Sequence, residues 1–250
     1  MKVLITNPID DAGIERLRES GHDVETAYGL TGEALLEAAG DAHALVVRSG
    51  TDVTEAVFEA APDLVIVGRA GIGVDNIDID AATDHGVIVA NAPEGNVRAA
   101  AEHTVAMSFA AARSIPQAHA RLKRGEWAKS DYLGTELNGK TLGVVGLQEV
   151  AKRLDGLGME LLAYDPYISE ERADRLGAEL VELETCLSSA DFLTVHTPLT
   201  PETEGMISTA ELELMGGGFL VNCARGGVVD EDALAAAVAT GTLDGAAVDV

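Results

Sequence analysis

Short apolar runs, many of them β-branched, alternate with helix-compatible stretches along almost all of the 250 residues, and this alternation limits the possible folds more than any other feature. The runs are Val3–Thr6, Val24–Ala27, Ala44–Val47, Leu64–Gly68, Val87–Ala90, Thr141–Leu147, Leu161–Tyr164, Phe192–His196, Phe219–Asn222 and Gly245–Val250. Several are apolar at consecutive positions, as in Leu64-Val65-Ile66-Val67. Such a strand must be covered on both faces, the condition of a parallel sheet lying between helices. Asp11–Ser20, Gly32–Ala39 and Asp230–Thr240 are clear helical intervals, and Ser208-Thr209-Ala210-Glu211 has the spacing of a capping box. The βαβα order predicts an α/β fold of doubly wound, Rossmann-like parallel sheets. The stretch Asn96–Gly125 has no strand signal, and its apolar residues recur at helical spacing. It reads as a long helix joining two α/β domains, residues 1–95 and 96–250, with a cleft between them for ligands. Gly216-Gly217-Gly218 reads as a tight turn before a strand.

Charge removes several function classes. With 42 acidic and 17 basic residues the formal charge is −25, whereas affinity for nucleic acid or an anionic membrane needs clustered Lys and Arg. Neither partner is expected. An apolar content of 47% is enough to fill a core. No window approaches the ~20 apolar residues that span a bilayer, and the start, reaching Asp10 and Asp11 without an apolar run, argues against a secretory leader. Cys186 and Cys223 form neither a disulfide framework nor a metal-ligand spacing, so no metal is expected and a reducing cytoplasm fits.

Thr141–Leu147 reads as the first strand of a nucleotide-binding half, with a helix following from Gln148. A dinucleotide site has a Gly-rich turn there, letting the backbone approach a pyrophosphate. Only Gly146 of the G-x-G-x-x-G pattern is present. Asp165, in Ala163-Tyr164-Asp165-Pro166, follows Gly146 by 19 residues, near the ~20 expected of the acid that holds an adenosine ribose. An acid there favours NAD over NADP, although Asp-Pro is also a common turn former.

Four further segments carry a resemblance. They are Arg69-Ala70-Gly71-Ile72-Gly73-Val74-Asp75-Asn76, the pair Asn91-Ala92-Pro93-Glu94-Gly95-Asn96 and Ala101-Glu102-His103-Thr104, His196-Thr197-Pro198-Leu199, and Asn222-Cys223-Ala224-Arg225-Gly226-Gly227-Val228-Val229-Asp230-Glu231. Together they resemble the D-2-hydroxyacid dehydrogenases, over essentially the whole chain. The resemblance implies NAD as cofactor and a small anionic 2-hydroxy or 2-keto acid as substrate. It implies that Arg225 is catalytic, gripping a planar carboxylate bidentately. By itself Arg225 could equally be a surface residue beside a Gly-Gly turn.

The same resemblance assigns Gly146, Asp165, Pro166, His196, Thr197, Pro198, Cys223, Ala224 and Asp249 to the cofactor, with Asp249 near the nicotinamide amide. It assigns Arg48, Ser49, Gly50, Arg69, Gly71 and Gly73 to the substrate. For Arg48 and Arg69 a structural salt bridge is the alternative reading. His103 is expected to be a packing residue, and His22, His43, His85 and His119 have no catalytic surroundings in the sequence. A homodimer or homotetramer is implied. A noncatalytic dinucleotide-binding module stands as an alternative.

Two departures accompany the resemblance. Relative to the family pattern, four residues of the phosphate loop are absent between Leu147 and Gln148. The 250 residues also stop before the family's acid and its Pro-His histidine, so the first domain lacks its C-terminal return and the chain as it stands is expected to be nearly inactive.

Scarce Lys and abundant Asp and Glu suggest a surface suited to high salt, where the Debye length falls to ~3 Å at 1 M and self-repulsion weakens. The melting temperature is therefore expected to fall sharply on transfer to low salt. A thermal scan across ionic strengths checks this, and an unchanged value refutes it.

Overall fold

The computed structural model describes residues 1–93, 95–147 and 150–250. Glu94 of the Asn91–Asn96 motif, and Gln148 and Glu149 at the expected start of a helix, lie outside the described residues. The chain divides into two compact units, Met1–Asn96 and Val97–Val250.

The first unit runs β1 (Lys2–Ile5), α1 (Asp11–Glu19), β2 (Asp23–Thr26), α2 (Gly32–Ala39), β3 (Ala44–Val47), α3 (Glu55–Ala60), β4 (Ile66–Arg69), α4 (Ile79–Asp84) and β5 (Ile88–Asn91). Its five strands lie in the order β2-β1-β3-β4-β5, all parallel, the doubly wound order of flavodoxin-type sheets. Asp10 starts α1 by accepting a hydrogen bond from Ala12 N–H, and Asp78 starts α4 by accepting from Ala81 N–H, each filling an orphan donor of a first turn. Leu4, Leu45, Val47 and Val67 point into the core with Leu35, Val57, Phe58 and Ala82. Val3, Ile5 and Ala44 pack on the opposite face around Ile14 of α1.

The second unit runs α5 (Val97–Ala112), α6 (Ile115–Lys123), β6 (Thr141–Val145), α7 (Val150–Asp155), β7 (Glu160–Tyr164), α8 (Glu170–Arg175), β8 (Glu179–Leu180), α9 (Leu183–Ser189), β9 (Phe192–Val195), α10 (Thr209–Met215), β10 (Phe219–Asn222), α11 (Glu231–Thr240) and β11 (Gly245–Val248). The strand order β11-β10-β9-β6-β7-β8 is again wholly parallel. Read outward from β6 it is the Rossmann order. Every residue of β9 and β10 is buried. One face packs on α5 and α7 through Ala101, Ala112, Val150 and Leu154, the other on α9, α10 and α11 through Leu187, Leu212 and Leu234. Phe192 and Phe219 stack side by side on adjacent strands at 5.0 Å.

The long joining helix expected over Asn96–Gly125 is two helices, broken at Arg113-Ser114, and α5 is a layer of the second unit, packed on α7, β10 and β11. Pro116 explains the break, because a proline ring collides with the carbonyl four residues earlier in a continuous helix. That carbonyl belongs to Ala112, the last residue of α5, and it accepts a hydrogen bond from Thr135 N–H at 2.9 Å instead. Ser114 takes the left-handed conformation at φ 47° to turn the chain. The two-residue strand β8 was not expected, since Glu179–Leu180 is too short to establish a period. Expected strand ends shift by one or two residues, notably after Val145, where Gly146 leaves the ladder. Among the described residues no helix is long and apolar enough to cross a membrane.

The turn at Gly216-Gly217-Gly218 is left-handed at φ 60° and 74° for the outer two residues. At Gly218 a Cβ would lie 2.3 Å from the Asp191 carbonyl oxygen. Gly218→Ala is expected to cost roughly 2–5 kcal/mol, about 1–3 from overpacking and 1–2 from the left-handed conformation. Chemical denaturation measures it, and a loss under ~1 kcal/mol means the turn relaxes without strain.

Candidate functional site

In the second unit the chain proceeds from β6 outward to β7 and β8, then returns beside β6 as β9 and continues to β10 and β11. The crevice outside the carboxyl ends of strands at such a reversal is where doubly wound sheets bind ligands. Here it lies at Gly146 and His196, the residues directly after β6 and β9. Gly146 N–H donates to the Tyr164 carbonyl at 2.9 Å and His196 N–H to the Val145 carbonyl at 2.8 Å, holding the ends of three strands together. Gly146 adopts φ +84°, and a Cβ on it would sit 3.0 Å from the His196 carbonyl carbon and 3.1 Å from Thr197 N. Glycine is required twice over, for the torsion and for the close approach. Thr197 Oγ1 is buried beside it and makes no hydrogen bond among the described residues, and Pro198 continues the loop at the surface. The cradle left by Gly146 and the Thr197 hydroxyl suit close backbone approach by a polar ligand.

Asp165 follows β7 at the same carboxyl edge. Its Oδ2 accepts from Leu147 N–H at 3.0 Å and its Oδ1 from Tyr167 N–H at 3.0 Å. A carboxylate offers about four acceptor positions, so these bonds leave it able to accept from ligand hydroxyls. Asp165 therefore also anchors the residue that leaves β6, a role the spacing argument did not foresee. Pro166 is exposed.

Arg225 follows β10, on the other side of the reversal from Asp165. Three strand spacings separate β7 from β10, roughly 14 Å. Both groups thus leave one edge of one sheet. The Arg225 loop is held from several sides. Asn222, the last residue of β10 and 1% exposed, accepts from Ala224 N–H at 3.0 Å and donates Nδ2 to the Arg225 carbonyl at 2.9 Å. Arg225 Nη1 donates to the Ala224 carbonyl at 2.6 Å, and Gly227 N–H to Glu231 Oε1 at 3.1 Å. Cys223 is half-buried, and burial pushes its thiol above the ordinary range.

Asp249 N–H donates to the Asn222 carbonyl at 3.0 Å. Its Oδ2 lies 3.1 Å from His103 Nε2. The expectation that His103 is a packing residue is corrected: it is exposed and faces Asp249, because its position on α5 puts it over the end of β11. Sequence reasoning also missed Asn222, although it stands in the quoted motif.

In the first unit Arg48, Ser49 and Gly50 form an exposed loop after β3. Arg48 N–H donates to Asn7 Oδ1 at 2.7 Å, while Asn76 Nδ2 donates to the carbonyls of Arg48 at 2.8 Å and Thr51 at 2.5 Å. Arg69, ending β4, is 7% exposed. Its guanidinium lies over Gly71, where a Cβ would meet Nη1 at 1.9 Å. Asn91 Nδ2 donates to the Ile72 carbonyl at 2.6 Å, steadying the Gly71–Gly73 turn. Among the described residues no cluster of His, Cys, Asp or Glu could hold a metal ion.

This arrangement of parallel strands, a glycine at the reversal, an acid beside it and an arginine across from it defines a class. Residues 105–250 match the family described as D-isomer specific 2-hydroxyacid dehydrogenase, NAD binding domain, and the chain belongs to that family. It is 49% identical to the D-3-phosphoglycerate dehydrogenase of Archaeoglobus fulgidus, covering all of this chain and 48% of that one. It is 50% identical to the enzyme of the same name from Methanocaldococcus jannaschii, covering all of this chain and 49% of the other. The chain thus spans about half the length of the curated relatives it matches. Among solved structures, an NAD-dependent formate dehydrogenase from Staphylococcus aureus in complex with NAD aligns with a TM-score of 0.87 at 30% identity, over all of this chain and 81% of that one.

Burial pushes the His196 imidazole down from 6.5 to about 4, so it is neutral at physiological pH. The unfolded chain takes up a proton near 6.5 that the folded chain refuses until about 4. Acid therefore favours unfolding, and this stability is full above 6.5 and drains away as pH falls toward 4. His196→Gln is expected to flatten that part of a melting-temperature profile. Identical pH slopes in the two proteins contradict the assignment.

Proposed function

We propose that the protein is an NAD-dependent dehydrogenase that oxidises 3-phospho-D-glycerate to 3-phosphohydroxypyruvate, the first step of a serine-forming route. The single observation that carries this reading is the placement of Arg225 and Asp165 at one sheet edge, on either side of the reversal at Gly146. Identity of 49–50% to two D-3-phosphoglycerate dehydrogenases supports the substrate, and the NAD complex of the formate dehydrogenase supports the cofactor. In this reading residues 96–250 bind the dinucleotide and residues 1–95 the substrate. Asp165 takes the adenosine ribose through its open acceptor positions, and its negative charge disfavours the 2′-phosphate of NADP. Gly146, Pro166, His196, Thr197, Pro198, Cys223 and Ala224 line the cofactor's path, and Asp249 receives the nicotinamide amide. Bound NAD would supply the hydride acceptor.

Arg225 has the chemistry to fix the substrate's carboxylate and carbonyl, since a planar guanidinium holds a planar anion through two parallel bonds. Arg48, with Ser49 and Gly50, is the exposed anion ligand of the first unit. In the Gly71–Gly73 turn, where Gly71 N–H is taken by the Arg69 carbonyl, the Ile72 and Gly73 N–H groups lie beside the charge of Arg69. The two free cysteines accord with a reducing, cytoplasmic setting. A homodimer or homotetramer remains part of the proposal.

The experiment is residual NAD reduction, expected to be slow, by the purified protein with 3-phospho-D-glycerate, compared with unphosphorylated D-glycerate. Arg225→Lys keeps the charge but loses the fork, and kcat/KM is expected to fall about a hundredfold while NAD affinity by calorimetry holds. Arg69→Lys is expected to raise KM for the phosphorylated acid several times more than for D-glycerate. Equal losses favour a glyoxylate or hydroxypyruvate reductase. NAD binding with no affinity for any 2-hydroxy acid favours a noncatalytic module.

A further inference from the structure

We infer that Asn222 is a positioning residue: its buried amide sets the stance of Arg225, and its main-chain carbonyl sets that of Asp249. This rests on the reading of Arg225 as the residue that orients the substrate. Asn222 ends β10, which is held along both of its edges, with Phe219–Asn222 paired to β9 on one side and β11 on the other. From that rigid point it makes three bonds forward. Oδ1 takes Ala224 N–H at 3.0 Å, Nδ2 gives to the Arg225 carbonyl at 2.9 Å, and the Asn222 carbonyl takes Asp249 N–H at 3.0 Å.

The side-chain pair demands an amide. The loop presents one donor and one acceptor, and a single side chain must answer both at short reach. Aspartate answers the donor and faces the Arg225 carbonyl with a second acceptor. Serine has one oxygen and cannot span both. Alanine leaves an N–H and a carbonyl unanswered in a half-buried loop, each at a desolvation cost. Without the amide, the Glu231 bond to Gly227 and the Arg225 Nη1 bond to the Ala224 carbonyl still act on the loop, but the Ala224 N–H and the Arg225 carbonyl lose the side chain that fixes their orientation. The Arg48 loop uses the same device, with the Asn7 and Asn76 side chains holding the Arg48 N–H and carbonyl. In each unit an arginine's backbone is fixed by side-chain amides.

The test compares Asn222→Asp, which keeps shape and the acceptor, with Asn222→Ala, each alone and in an Arg225→Ala background. Readouts are NAD-linked turnover of 3-phospho-D-glycerate and amide hydrogen exchange. Each single variant is expected to lose roughly tenfold to a hundredfold in kcat/KM. Neither is expected to lose more than about twofold further once Arg225 is gone, because coupled residues are non-additive. Exchange at the Ala224 amide should quicken in Asn222→Ala while Leu193 and Val195 of β9 stay protected, and should stay slow in Asn222→Asp. Equal losses in both backgrounds, or wild-type exchange at Ala224 in Asn222→Ala, overturn the inference. If Asn222→Ala does not fold, the Asp variant decides through the kinetic cycle. If the unaltered protein oxidises no 2-hydroxy acid, the functional reading falls by itself, and exchange at Ala224 still decides whether the clamp exists.

Discussion

Close approach of backbone to backbone at Gly146 governs the second unit. The strand β6 meets β9 at the point where the sheet reverses its winding, and there a residue without a side chain lets the His196-Thr197 peptide come within 3.0 Å of where a Cβ would be. Two hydrogen bonds across the same spot tie β6, β7 and β9 at their carboxyl ends. Because all six strands are parallel, every chain segment leaving that edge does so in the same direction. Asp165, His196 and Arg225 inherit their common placement from this one constraint. A side chain at Gly146 would strain the left-handed torsion and press the His196-Thr197 peptide back by a few tenths of an ångström.

Each unit uses polar side chains to hold backbone. In the second, Asp165 holds Leu147 and Tyr167 and Asn222 holds Ala224 and Arg225; in the first, Asn7 and Asn76 hold Arg48. Neutral amides suit this work, since burying an amide with its bonds satisfied costs far less than burying a charge. His196 obeys the same logic: burial favours its uncharged imidazole, which stays neutral at physiological pH.

Much of the fold was legible because its signals are local. Continuous apolar runs such as Phe192–Val195 can only be strands buried on both faces, and their alternation with helical intervals leaves little but a doubly wound sheet. The helix over residues 96–125 failed because helical spacing was weighed without Pro116, whose collision with the Ala112 carbonyl is itself a local rule. The β8 pair was too short to carry a period. Asn222 and Asn76 stood in quoted motifs, but their importance is a matter of which carbonyls they reach, two or more residues away in one case and across the unit in the other. The missed sign was strand-end position, where an asparagine commonly bonds the backbone that follows.

By itself the sequence determined the class of fold, the approximate positions of the strands and an acid at the spacing expected of a ribose ligand, which follow from periodicity, spacing and side-chain chemistry among neighbouring residues. Arg225 was singled out by the resemblance of its motif. Only the tertiary structure decided that Asp165 and Arg225 leave one edge on opposite sides of a reversal, that His103 faces Asp249 and that single amides hold the arginine loops. Those facts depend on strand order and register, and hydrogen bonds between distant residues exist only once the sheet has assembled and excluded water from its edge.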